Sequence, residues 1–445
     1  MATLRNIYVT SLFLLGSCSS PVEQIHEKVS EYNHQIPIIS IVADSLELFD
    51  DSVGIYPKGI GTAENWQGHK ANYYSGKKIT INMTYFIDKK VALSQEAKIK
   101  VSGGGSRKQP QKSFNLSCEE GFAFPFFSHL PYDHYKSLRL RISGQDWRET
   151  LLRDALMHTL VSHTHIDVQA YQPVVVYLNG KYWGIYNMRE KFNVAYLQQH
   201  HIVDEVDILE RNSKLIEGSD DEYLELLKYV QENDLTRNEH WNWIEERVDL
   251  ENFIDYYCAQ IYFANTDWPG NNIKYWKATD GKWRWFLHDT DLGFAFAPIW
   301  GHPGGVKHNT LQFVLNDSAT THHNQDWSTL LFRKFLNNEQ FKQEFIRKFV
   351  QHLEVTFHSE RVVSVIDSLA ANIEDEMPKH IDRWKNEADY ALQSVEDWQS
   401  ELDVLRSFAL QRQAIVRTHL KIQFNQFDNI NIILSLEFSL SNTTL

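Results

Sequence analysis

Cysteine is scarce in this chain. Its 445 residues hold three, Cys18, Cys118 and Cys258, too few for a disulfide framework. Glycine and proline number 20 and 11, which excludes a collagen-like or low-complexity chain. No apolar run outside the first residues reaches the roughly 18 needed to span a membrane. Positive charge is in deficit, and the formal net charge is -14. Proteins that grip a nucleic-acid backbone need clustered cations to displace counterions, so no nucleic-acid partner is expected. The G-x-S-x-G elbow of a serine hydrolase is missing as well. What is present is apolar and aromatic, at 42% and 13% of residues. That suits an ordered protein long enough for two lobes of about 100 to 200 residues each.

The first residues have the form of an export signal. Arg5 precedes a short apolar run from Ile7 to Leu15, which Gly16-Ser17-Cys18 closes with small residues. Residues 1–18 resemble a bacterial lipoprotein signal, with an ordinary signal peptide or a frayed tail as the alternative, since Thr10 and Ser11 interrupt the apolar run. That resemblance implies a lipid on Cys18 as the only membrane attachment and a location in the cell envelope, periplasmic or at the outer surface. Cys258 lies in an apolar helical run and reads as buried.

A polar linker, 19–35, leads into a β-rich region, 36–191. Strand-like runs there include IPIISIVADS, ITINMTYFI, AKIKVS, KSFNLS and SLRLRIS. A helical apolar stripe interrupts them from Thr150 to about Ser162, and Asn179-Gly180 marks a tight hairpin. The region 192–424 is mainly helical, with a second hairpin inside it, and 425–445 is a tail of unassigned role. The fold class expected is α+β.

The chemistry gathers at that second hairpin, in NTDWPGNNIKYWKATDGKWRWFLHDTDLG from Asn265 to Gly293. Asp280-Gly281 is read as a two-residue turn, which sets Asn272 opposite Asp289. Opposed side chains lie about 4.5 to 5.5 Å apart at Cβ, close enough to share a hard cation. Asp291 follows with the same parity. Asp267 overhangs the open end from a loop kept irregular by Trp268-Pro269-Gly270. These residue types suit Mg²⁺ held by Asn272 with Asp289 or Asp291, and Asp267 as the carboxylate that orients an acceptor hydroxyl. A cation for phosphates is also required, and Lys112 is the candidate, with a solvated strand lysine as its ordinary reading. It follows SGGGSRKQPQ, where Gly103, Gly104 and Gly105, with Ser106 and Arg107, let backbone amides approach an anion.

Each element also has an ordinary reading. Glycines 103 to 105 serve equally as a flexible hairpin tip, Asp267 and Asn272 as turn formers, and Asp289 with Asp291 as a cap or a structural Ca²⁺ site. His158, His163 and His165 lack a further ligand for a zinc set, and His200-His201 and His322-His323 read as surface residues. Trp276, Trp283 and Trp285 read as core.

Taken together, SGGGSRKQPQKSF, LRLRISGQDWRETLLRDAL, VVVYLNGKYWGIYNMREKF, IYFANTDWPGNNIKYW and WRWFLHDTDLGF resemble the CotH kinase family, over roughly Ile36 to Phe424. The resemblance implies an atypical protein-kinase-like fold with a β-rich N-lobe and a mainly helical C-lobe. It also implies Mg²⁺- and ATP-dependent phosphorylation of Ser or Thr in secreted or surface proteins. By position, Lys112 resembles the phosphate-holding lysine and Asp267 the catalytic aspartate, with Asn272 five residues on as a metal ligand. Asp291-Leu292-Gly293 resembles the Asp-Phe-Gly element, whereas the hairpin register favours Asp289, and both stay open. Glu149 and Asp154 are both candidates for the acid that pairs with Lys112. Two rivals stand beside this reading: a glycosyl or nucleotidyl transferase using Asp289-Thr290-Asp291 as its Asp-x-Asp motif, and a non-catalytic surface adhesin.

Overall fold

The computed structural model describes residues 33–296, 304–317 and 324–424. The signal segment with Cys18, the tail 425–445 and His322-His323 lie outside the described residues. Mixed α and β content agrees with the expected class. Seven strands close into a barrel: β1 (Ile38–Ala43), β2 (Ile79–Ile87), β3 (Lys90–Ser102), β4 (Ser113–Ala123), β5 (His134–Arg141), β6 (Tyr171–Leu178) and β7 (Lys181–Arg189). Their order is β1-β2-β3-β4-β5-β7-β6, and β1 pairs in parallel with β6 to complete the ring.

Side-chain alternation explains the closure. On β3, Ala97, Ile99 and Val101 point into the barrel core, while Lys98 and Lys100 point away from it. The Asn179-Gly180 turn forms as expected, with both residues at positive φ, +48° and +75°. That is the backbone a two-residue hairpin needs to match strand twist. Trp384 and Ala391, far along the chain, join the same barrel core.

A larger core lies among the helices. The helix Leu250–Phe263 is started by Asp249, whose side chain accepts the Asn252 N–H. Every residue from Asn252 to Phe263 is buried, the mark of a helix surrounded by protein. It ends at Ala264 with φ +51° and releases the chain directly into the Asp267 loop. The long helix Val395–Phe424 sends Arg412 across to this end, where it donates to the carbonyls of Ile261, Tyr262, Val306 and His308. Among the described residues no helix is long and apolar enough to cross a membrane.

The second hairpin is not an isolated pair. β10 (Lys274–Ala278) and β11 (Arg284–Phe286) join β8 (Val206–Glu210) and β9 (Lys214–Glu217) in a four-stranded sheet of order β11-β10-β8-β9. The strands β8 and β9 are short and escaped the sequence reading of this region as helical.

Candidate active site

A cleft of about 920 Å³ opens between the barrel rim and this small sheet. Its walls carry nine Lys and Arg against four Asp and Glu, although the chain as a whole is strongly acidic. A local excess of cations in an acidic protein marks an anion site.

The hairpin register differs from expectation by one residue. Tyr275 faces Trp285 and Trp276 faces Arg284, which extrapolates to Asn272 opposite His288 instead of Asp289. Asp280 and Gly281 are not at positive φ, and Gly281 N–H bonds to the Ala278 carbonyl at 2.9 Å across a longer turn. Burial dictates this choice. Ile273, Tyr275, Trp283, Trp285 and Leu287 belong to the large helical core, whereas Trp276 and Phe286 belong to a separate small one. Only a register pairing odd with odd keeps each set on its own face, since a slip of one flips every side chain.

Asn272 and Asp289 nevertheless meet, through irregular backbone beyond the ladder. Both adopt positive φ, +51° and +52°, a conformation Asn and Asp tolerate better than most residues. The Asn272 amide nitrogen donates to Asp267 Oδ2 at 2.9 Å and to the Asp289 carbonyl at 3.2 Å. Asn271 donates to both Asp267 oxygens at 3.1 Å. Asp267, Asn272, Asp289 and Asp291 all line the cleft.

The two acids of Asp289-Thr290-Asp291 differ in environment. The Asp289 side chain is 34% exposed. Burial raises its carboxyl, but the Arg141 guanidinium bonded to it and nearby His288 prevail and bring it down to about 2. Asp291 is buried, accepts the Gln145 N–H at 2.5 Å and lies 3.6 Å from Arg141. Burial, then the neighbouring Asp289 charge, pushes its carboxyl well above the usual range. Gly144 permits this approach: its φ is +62°, and a Cβ there would stand 2.0 Å from Asp291 Oδ2.

Several assignments need correction. Lys112 does not reach the cleft. It is 5% exposed, its ammonium bonds to the Gln109 carbonyl at 2.5 Å and lies 4.3 Å from the Tyr73 ring, and burial lowers it to about 7. The cation that meets the acids is Arg141, on the strand after the two that flank the glycine loop. Asp154 is a buried clamp with no place in the cleft wall. It sits 3.6 Å from Arg141, takes Arg189 at 2.9 Å, and accepts Thr290 N–H at 3.0 Å, so it fixes the loop between the two acids. Burial opposes its charge, yet Arg141 and Arg189 hold it far below the normal carboxylate value. Glu149 pairs with Arg153 at 2.6 Å, not with Lys112. Gly103, Gly104, Gly105, Ser106 and Arg107 do line the cleft, and Arg107 stiffens that loop by donating to the Gly103 carbonyl at 2.6 Å.

Sequence reasoning had no signal for Asp154 as clamp, because its partners come from three distant segments. Gly144 could have been found: a glycine directly after the strand SLRLRIS is a standing hint of special backbone. His165 gains carboxylate partners it was not expected to have, Asp255 at 3.0 Å and Glu251 at 3.5 Å, but Asp255 spends its other oxygen on His352 at 2.7 Å. Among the described residues, no group of three or more His, Cys, Asp and Glu side chains is placed to hold a metal unaided.

A glycine loop, a paired arginine and acids around an asparagine thus meet in one cationic cleft of an α+β protein. The family model described as CotH kinase protein matches residues 99–416, and the chain belongs to that family. No curated protein matches it.

Proposed function

We propose that the chain is a protein kinase that moves the γ-phosphoryl group of Mg-ATP to Ser or Thr of an exported or surface protein. Family membership supports a kinase-like enzyme. The observation that carries the finer reading is the Asn272 amide, which ties the Asp267 carboxylate to the Asp289 backbone. That linkage joins an acceptor-orienting acid to a phosphate- and metal-directed loop with the five-residue Asp-to-Asn spacing of kinases. The chain order fits too, since the glycine loop is followed by a strand cation, Arg141, and then by a helix acid, Asp154, paired with it.

The donor set suits magnesium. Asn272, Asp289 and Asp291 offer few, hard oxygens, and a raised Asp291 beside a charged Asp289 is a pair short of positive charge. Bound there with ATP, the ion would neutralise phosphate charge. Asp267 orients the acceptor hydroxyl and accepts its proton as the new P–O bond forms and the bond to the leaving ADP oxygen breaks. The glycine loop covers the phosphates with backbone N–H groups. Export and lipidation at Cys18 belong to this reading on the strength of residues 1–18 alone.

Incubation of the full chain with Mg²⁺ and ATP labelled at either the α or the γ phosphate tests the chemistry. γ-Label alone is expected on protein. α-Label on protein, or transfer from a nucleotide sugar in a parallel reaction, contradicts phosphoryl transfer and selects the Asp-x-Asp transferase reading.

A further inference from the structure

The cleft carries more cation than its acidic centre uses. Lys100 on β3, Asn115 on β4 and Arg139 on β5 are successive ladder partners. They alternate with Ile99, Leu116 and Leu138, whose side chains fill the barrel core. The period-two pleat therefore turns all three to the barrel's outside together, onto the cleft they line. Lys191, just past β7, and Lys274, which opens β10, stand at the same end, and Arg139 is an electrostatic neighbour of both.

Among the described residues, none of these four cations makes an ion pair or a side-chain hydrogen bond. Arg139 Nε and Asn115 Oδ1 are buried without a hydrogen-bond partner. Glu210, opposite Lys274 in the sheet, is engaged by Lys214 at 2.8 Å. Burial, then Lys100, Arg139 and Lys78, keeps the Lys191 ammonium below the usual lysine range. Converging unpaired cations repel one another and leave desolvated donors unsatisfied. Asp289 and Asp154 act on Arg139, and Glu210 on Lys274, only without direct pairing, whereas Arg141 is paired directly with its carboxylates, so donors are left here for a ligand.

We propose that Lys100, Arg139, Lys191 and Lys274, with Asn115 beside them, form a phosphate subsite distinct from the Asp267, Asp289 and Asp291 centre, and that it takes a phosphate group, single or linked. A guanidinium fork and several ammonium groups suit the clustered oxygens of such a group better than a single carboxylate. Two sources share this chemistry: the nucleotide's own phosphates, or phosphate already present on the acceptor. The choice between them rests on the kinase reading, whereas the subsite does not.

Titration calorimetry of the full chain with inorganic tripolyphosphate in magnesium-free buffer tests it. Wild type binds, and Arg139→Gln and Lys191→Gln each weaken binding about tenfold or more, the loss of one charge-assisted contact. Both variants melt at or above the wild-type temperature without ligand, because repulsion is relieved, and tripolyphosphate raises the melting temperature of wild type most. Asp267→Ala binds tripolyphosphate like wild type. A chain that binds it yet never transfers label from ATP therefore sinks the kinase reading and leaves the subsite standing. ATP and a phosphoserine peptide are titrated into the same variants. An ATP loss equal to the tripolyphosphate loss places the nucleotide's phosphates there, and a loss confined to the peptide places the acceptor's. Tripolyphosphate that fails to bind wild type, or binds both variants as tightly, overturns the proposal.

Discussion

Arg139 and Arg141 stand two residues apart on one strand, line the same cleft and meet opposite surroundings. Around Arg141, burial is outweighed by Asp289, Asp154 and Asp291, which hold the guanidinium above its ordinary value. Around Arg139, burial and then Arg141 itself outweigh the pull of Asp289 and Asp154 and lower it to about 10. At one end of the cleft the arginine is thus paired with the chain's own carboxylates, and at the other the arginine makes no direct ion pair. Net charge along the sequence could not have shown this, because both arginines belong to one alternating strand.

The largest effect separating the two ends is expected from Asp154→Ala. It leaves Arg141 and the fully buried Arg189 short of a counter-charge, at a cost of roughly 3 to 5 kcal/mol in denaturant unfolding. Arg139→Met removes a cation that makes no direct ion pair, with Asp289 and Asp154 acting on it only at a distance, and should change stability by less than about 1 kcal/mol. Equal losses in the two variants would erase the contrast. Gly144→Ala comes next. Positive φ and the clash with Asp291 should cost roughly 1 to 3 kcal/mol, and transfer activity should fall further than the melting temperature alone explains.

The smallest effect is a pH slope from outside the cleft. Burial first, against Arg153 and with help from Asp146 and Glu401, raises the Glu149 carboxyl from 4.5 to about 7. A carboxyl raised on folding favours the folded state below its unfolded value, and that advantage is lost as pH climbs toward 7. Unfolding free energy should decline over that window by on the order of 1 to 3 kcal/mol. Glu149→Gln should flatten the slope, and a variant with the wild-type slope would assign it to another group.

Much of the site was legible because its residue types are chemically unusual for their positions. Asp267, Asn272, Asp289 and Asp291 were readable as a set, and all four reach the cleft. Their placement was misjudged by trusting Asp280-Gly281 as a two-residue turn; of the two dipeptides, Asn179-Gly180 forms one and Asp280-Gly281 does not. The parity of Tyr275, Trp283 and Trp285 against Trp276 and Phe286 already contained the true register, since the two sets pack in different cores. Lys112 misled for a different reason. A lysine after a glycine loop looks like a phosphate ligand, and only tertiary packing reveals the tyrosines around it. The barrel strands were recoverable from period-two alternation, but closure of β1 against β6 is a long-range pairing that no local pattern encodes.

The proposed transfer turns on Asp267 as the acid that serves the acceptor. Phosphosite mass spectrometry of the full chain after incubation with Mg-ATP, wild type beside Asp267→Ala, tests that directly. Phosphate on wild-type Ser or Thr and none on the variant is the result expected. Equal phosphate on both proteins would contradict it.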